Sequence, residues 1–127
     1  MRRHRDDRGV TTVGFAVVFA SILLLVMLAV QAGLYWHVRQ RADAAAARAA
    51  AAAARVDGSS ANGHAAADAF LSGAPIDDAS VRVSRGGTSA TASVSGTAPS
   101  LVPIVAWAVY AEATVPLERF VPEPERG

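Results

Sequence analysis

From Gly9 to Val38 the chain carries no Asp, Glu, Lys or Arg, and from Val13 to Trp36 it is strongly apolar. A helix needs roughly 20 such residues to cross a hydrocarbon core about 30 Å thick, so this stretch is long enough to span one with some tilt. Tyr35, Trp36 and His37 close the run with amphipathic rings, as an interfacial anchor does. Val13, Phe15, Phe19, Leu24 and Leu28 are the candidate anchor side chains within it, with Tyr35 and Trp36 at the boundary. Two other readings compete. One is a buried helix of a soluble protein. The other is a secretory signal peptide, because Val30-Gln31-Ala32 resembles a small-residue cleavage site. A signal's apolar region is usually only about 7 to 15 residues, shorter than this one.

The rest of the chain has little to build a core from. Alanine supplies 29 residues; of 37 larger apolar ones, 17 lie between Val10 and Trp36 and 19 are spread from His37 onward. Such a segment buries a thin core, which excludes a large pocketed enzyme domain. With no Cys there is no disulfide framework, thiolate zinc site or cysteine nucleophile. His4, His37 and His64 have no second His and acid at metal-ligand spacing. Asp77-Asp78 lacks the calcium-loop pattern and reads as a turn or cap. Gly86-Gly87 lacks the Gly-Lys-Ser of a phosphate loop, and no Gly-x-Ser-x-Gly occurs. The expectation is a protein that is not an enzyme and takes no cofactor. Net charge is +1, and the acidic part beyond Gly58 has no basic stripe, which argues against nucleic acid as a partner.

Nothing breaks the helix after Trp36. Residues 39–56 are nearly all Ala with Arg, Gln and Asp, and Gly58 reads as the stop. A continuous helix over 13–56 would be about 66 Å long at 1.5 Å per residue. A side made only of methyl groups allows close approach of another element. Ala16 with Ala20, and Ala29 with Gly33, also place small residues one turn apart within the apolar run. Residues 58–63 read as a loop, and Asn62 as the cap of a short helix from about Gly63 to Leu71. The period then changes to two. Val81 and Val83 alternate with polar residues, as do Ala90, Ala92 and Val94, with Arg85-Gly86-Gly87-Thr88 as the hairpin turn. A third strand fits 109–115. The link 98–107, interrupted by Pro99 and Pro103, reads as a loop that covers the sheet or touches lipid.

The expected fold class is therefore α+β: a long N-terminal transmembrane helix extending into a small domain with one short helix and a three-stranded antiparallel sheet. The expected divisions are a charged leader (1–9), the transmembrane helix (10–38), an Ala-rich helical extension (39–57), the small extracytoplasmic domain (58–120) and a disordered tail (121–127). Arg2, Arg3, Arg5 and Arg8 precede the apolar run, and Arg39, Arg41, Arg48 and Arg55 follow it, so the positive-inside count is a tie. The short charged stub favours an N-terminus inside and an exported C-terminal part.

Asp7-Arg8-Gly9, where a charged leader meets the apolar helix, is followed by Val10-Thr11-Thr12-Val13-Gly14-Phe15. Here the chain resembles prepilins, and more closely the TadE-like pseudopilins of tight-adherence (Flp) pilus systems. The resemblance extends to the Gln31-Ala32-Gly33-Leu34 and Trp36-His37-Val38-Arg39 exit, the Ala-rich extension, Val94-Ser95-Gly96-Thr97-Ala98-Pro99 and Val115-Pro116-Leu117-Glu118-Arg119-Phe120. It implies that a prepilin-type peptidase cuts between Gly9 and Val10, leaving the helix as the new N-terminus. It implies a bacterial cytoplasmic membrane, membrane lipid and other pilin-like subunits as partners, and a role in adhesion or secretion. The family pattern has Glu at the fifth residue after the cut; here that residue is Gly14. A carboxylate in lipid costs several kcal/mol unless partnered, so such a Glu drives assembly, and this chain lacks it. A minor or accessory pseudopilin-like subunit is the resulting expectation. The alternative is a membrane-anchored or signal-peptide-released extracytoplasmic binding module, for which Trp107 and Tyr110 are the candidate contact residues.

Overall fold

The computed structural model describes residues 6–119, 121, 122 and 124. Residues 1–5 of the expected leader, Phe120 and most of the expected tail lie outside the described residues. The elements are α1 (Asp6–Ala54), α2 (Ser60–Leu71), β1 (Asp77–Arg85), β2 (Ser89–Ala98) and β3 (Trp107–Pro116). The strands form one antiparallel sheet in the order β1-β2-β3. This is the α+β architecture expected from the sequence. By packing, the chain divides into two units, Met1–Gly33 and Leu34–Gly127.

In the first unit, α1 is apolar on every side and its large side chains are exposed. Such a segment is not held helical by a core. Its backbone groups are satisfied within the helix, the arrangement a hydrocarbon surrounding demands. Ser21 follows the same logic: its hydroxyl donates to the Val17 carbonyl one turn back at 2.8 Å.

In the second unit, α1 presents a stripe of Val38, Ala42, Ala45, Ala46, Ala49, Ala50, Ala53 and Ala54, all buried. Steps of three and four residues keep these positions on one face. Against that face lie the inward side chains of the sheet, chiefly Ala90, Ala92, Val94, Val109 and Ala111. Burial alternates along β2 and β3 as the period of two requires. The sheet runs along the helix. Ala98 and Val109 share a cluster with Val38, whereas Ala90 sits with Ala53 and Ala54 at the other end.

Four local details differ from the sequence reading. Helix α1 begins at Asp6, before the expected position 13, and ends at Ala54, before 56. Gly58 still marks the stop, reached through a turn in which its N–H donates to the Arg55 carbonyl at 3.0 Å. The cap of α2 is Ser59, not Asn62. Ser59 Oγ accepts from the Asn62 N–H at 3.2 Å and donates to Asn62 Oδ1 at 2.6 Å, so Asn62 is the third-residue partner of the cap. Finally, Asp77 and Asp78 open β1 instead of forming a turn. The pairing of β1 with β2 shifts register between Asp77 and Ser80, and Asp78 takes a φ of 52°.

Gly63 positions α2. A Cβ there would stand 2.8 Å from the Ala49 carbonyl oxygen and 2.7 Å from Val83 Cγ1, so only glycine lets α2 approach α1 and β1 this closely.

Candidate membrane-anchoring site

Of the candidate anchor residues, Val13, Phe15, Phe19, Leu24 and Leu28 are exposed along α1, as is Trp36. The Phe15 and Phe19 rings stack at 6.1 Å, one turn apart. Tyr35 differs: it is half-buried and tilts against Trp107, with ring centroids 6.2 Å apart. The two candidate processing residues, Gly9 and Val10, both lie within α1 and are exposed. Gly9 and Gly14 have open space where a Cβ would stand. Nothing in the chain's own packing therefore demands glycine at position 14. Gln31, read in the sequence as part of a cleavage-like tripeptide, lies inside the helix and is 4% exposed.

The Ala-rich extension has a side of methyl groups that allows close approach of another element. Its buried stripe is covered by the chain's own sheet, so any outward surface on it lies on other faces. Of the two aromatic candidates for a binding patch, Trp107 packs inward against Tyr35. Tyr110 stands on the open face of β3, where its hydroxyl donates to Glu112 Oε2 at 2.6 Å. That hydrogen bond to the carboxylate holds the Tyr110 phenol above its ordinary pKa.

Sequence reasoning missed two features that hold the second unit together. The first is Arg85. Helix α1 has no basic residue in its last turn. Arg85, at the end of β1, reaches back and donates from Nη1 to the carbonyls of Ala53 (3.0 Å), Arg55 (3.1 Å) and Gly58. A cation thus meets the negative end of the helix dipole and satisfies carbonyls that have no helical partner. The Glu118 N–H takes the Ala54 carbonyl at 2.9 Å, and the Leu117 N–H takes Thr88 at 2.9 Å. The second is Phe70, with the guanidinium carbons of Arg48 at 4.5 Å and Arg41 at 5.7 Å from its ring centroid. No motif marked either, because each depends on residues brought together by the tertiary fold.

These parts define a small α+β protein with one helix, among the described residues, long and apolar enough to cross a membrane. The family model of TadE-like proteins matches residues 9–55, and over that segment the chain is similar to that family. The match takes in the candidate cleavage junction, the apolar run and the Ala-rich extension. It stops before α2 and the sheet, so the later stretches that seemed to share in the resemblance lie outside it. No curated protein and no solved structure matches the chain.

Proposed function

We propose that the protein is a structural, non-enzymatic component of a tight-adherence pilus or a related secretion assembly, acting as a minor pseudopilin-like subunit. Its helix is anchored in the bacterial cytoplasmic membrane, with the N-terminus inside and the α2–sheet part outside. One observation carries this reading: the apolar part of α1 leaves its large side chains uncovered, with Phe15 69% and Leu25 65% exposed. That surface needs lipid or other helices around it. The TadE-like match over the same residues supports the pilus association. Gly14 favours an accessory place over a polymerising one, since a helix without the intramembrane carboxylate lacks that drive to pair.

The test is carbonate extraction of membranes, followed by intact mass and N-terminal sequencing with and without a prepilin-type peptidase. The expected product stays in the membrane and begins at Val10 only when the peptidase is present. A soluble product beginning at Gly33 would replace this reading with that of a released binding module.

A further inference from the structure

We infer that the loop 99–106 is a second membrane contact, dipping into the lipid interface beside the point where α1 emerges. The loop joins β2 to β3 and exposes Leu101 (47%), Ile104 (91%) and Val105 (41%) together. It lies in the middle of a stretch, residues 86–111, with no charged side chain. Scattered exposed apolar residues need no explanation, but three within five positions at one tip form a patch.

The fold says what faces that patch. The two ends of the loop, Ala98 and Trp107, are paired across β2 and β3. Both pack into the cluster that holds Tyr35 and Val38. Tyr35 and Trp36 directly follow the apolar run, where amphipathic rings mark a bilayer's edge. The opposite end of the same ladder, Ser89 with Pro116, lies towards Ala53 and Ala54. The loop is thus at the end of the second unit that holds Tyr35 and Val38, next to the rings that mark the proposed bilayer boundary.

The backbone of the loop suits that place. Pro99 and Pro103 have no N–H to desolvate. Ser100 Oγ donates to the Val102 carbonyl at 2.7 Å and accepts from the Val102 N–H at 3.1 Å. The Val105 N–H donates to the Val102 carbonyl at 3.1 Å. Polar groups satisfied within the loop lower the cost of placing it near hydrocarbon.

The inference rests on the proposed membrane anchoring, and the experiment separates the two. Because the chain has no Cys, I104C, G87C and F19C each give a single labelling site in the full-length protein. Each is labelled with an environment-sensitive fluorophore and reconstituted into vesicles of phosphatidylethanolamine and phosphatidylglycerol carrying doxyl-labelled lipid. The expected result is quenching severalfold stronger at positions 19 and 104 than at 87, with a blue-shifted emission at 104. Quenching at 19 with position 104 behaving like 87 overturns the loop contact and leaves the anchor standing. Protection at 104 from aqueous iodide that is lost on diluting protein into excess lipid means a second copy covers the loop, and overturns it as well. Weak quenching at all three sites overturns the anchor and the loop contact together.

Discussion

Arg85 ties together two elements that are distant in the sequence, β1 and α1. Its guanidinium joins the end of β1 to the carbonyls at the end of α1, whose last turn has no basic residue of its own. Arg85→Ala removes this donor and cation from the end of the helix, while the Arg55 carbonyl keeps the Gly58 N–H, and is expected to cost about 1–3 kcal/mol of unfolding free energy. Arg85→Lys keeps the charge but not the forked donors, so it recovers part of that loss. Urea unfolding followed by circular dichroism compares the three proteins. Tyr110 gives a pH prediction on the open face of the sheet. Its hydrogen bond to Glu112 favours the neutral phenol, so the folded pKa lies above the unfolded one. The associated stabilisation is present below the ordinary phenol pKa and is lost as pH rises through the raised value. Alkaline titration by ultraviolet absorbance is expected to show this phenol ionising at lower pH in Glu112→Gln than in the parent chain.

At the scale of elements, the pairing of an alanine stripe with a sheet of small residues is the central contact. Ala46 is fully buried in the cluster with Val94 and Val109, whereas Ala47 beside it is exposed. Ala46→Leu adds volume where the helix and sheet already touch, and is expected to destabilise by about 1–3 kcal/mol. Ala47→Leu is expected to change stability by less than about 0.5 kcal/mol, as surface substitutions do. Thermal unfolding of the two variants in the same detergent decides the point. These elements were legible in the chain for different reasons: the helix from the unbroken run of strong helix formers after Trp36, the strands from a period of two between Val81 and Val94. Their ends were less legible. Asn62 looks like a cap, yet Ser59 lies three residues earlier and makes the box with it. The bulge at Asp77 and Asp78 left no pattern to read, since a register shift is settled by the partner strand. Of the candidate site, the apolar run was plain from its lack of charge. The coverage of the Ala stripe by the chain's own sheet was foreseeable only as a possibility of close packing. Arg85 and Phe70 depend on neighbours some 20 to 30 residues away, beyond any local rule.

For the whole molecule, the proposed anchoring means that two kinds of solvent act on one continuous helix. Its first part is apolar all round and its second is apolar on a single stripe, as lipid and water respectively require. The sheet is too poor in large side chains to stand without that stripe, so the two regions of α1 serve different ends of the same protein. The segment after β3 completes the second unit. A chain ending at Pro116 loses the Leu117 and Glu118 amides from the carbonyls of Thr88 and Ala54, and the Leu117 side chain from the cluster of Ala53, Ala54 and Ala90. That truncation is expected to cost about 2–4 kcal/mol and to speed amide exchange in the last turn of α1, measured by hydrogen–deuterium exchange.

The same clasp has a bearing on how the protein reaches its place. The groups that fasten the end of α1 come from far along the chain: the Arg85 guanidinium, the Glu118 amide and the Leu117 side chain. With the proposed orientation, a nascent chain threading outward keeps its exported part open until Glu118 has emerged. Translocation and folding then fall in sequence instead of competing, and the tether in the bilayer holds the slack chain where the residues after β3 will close it.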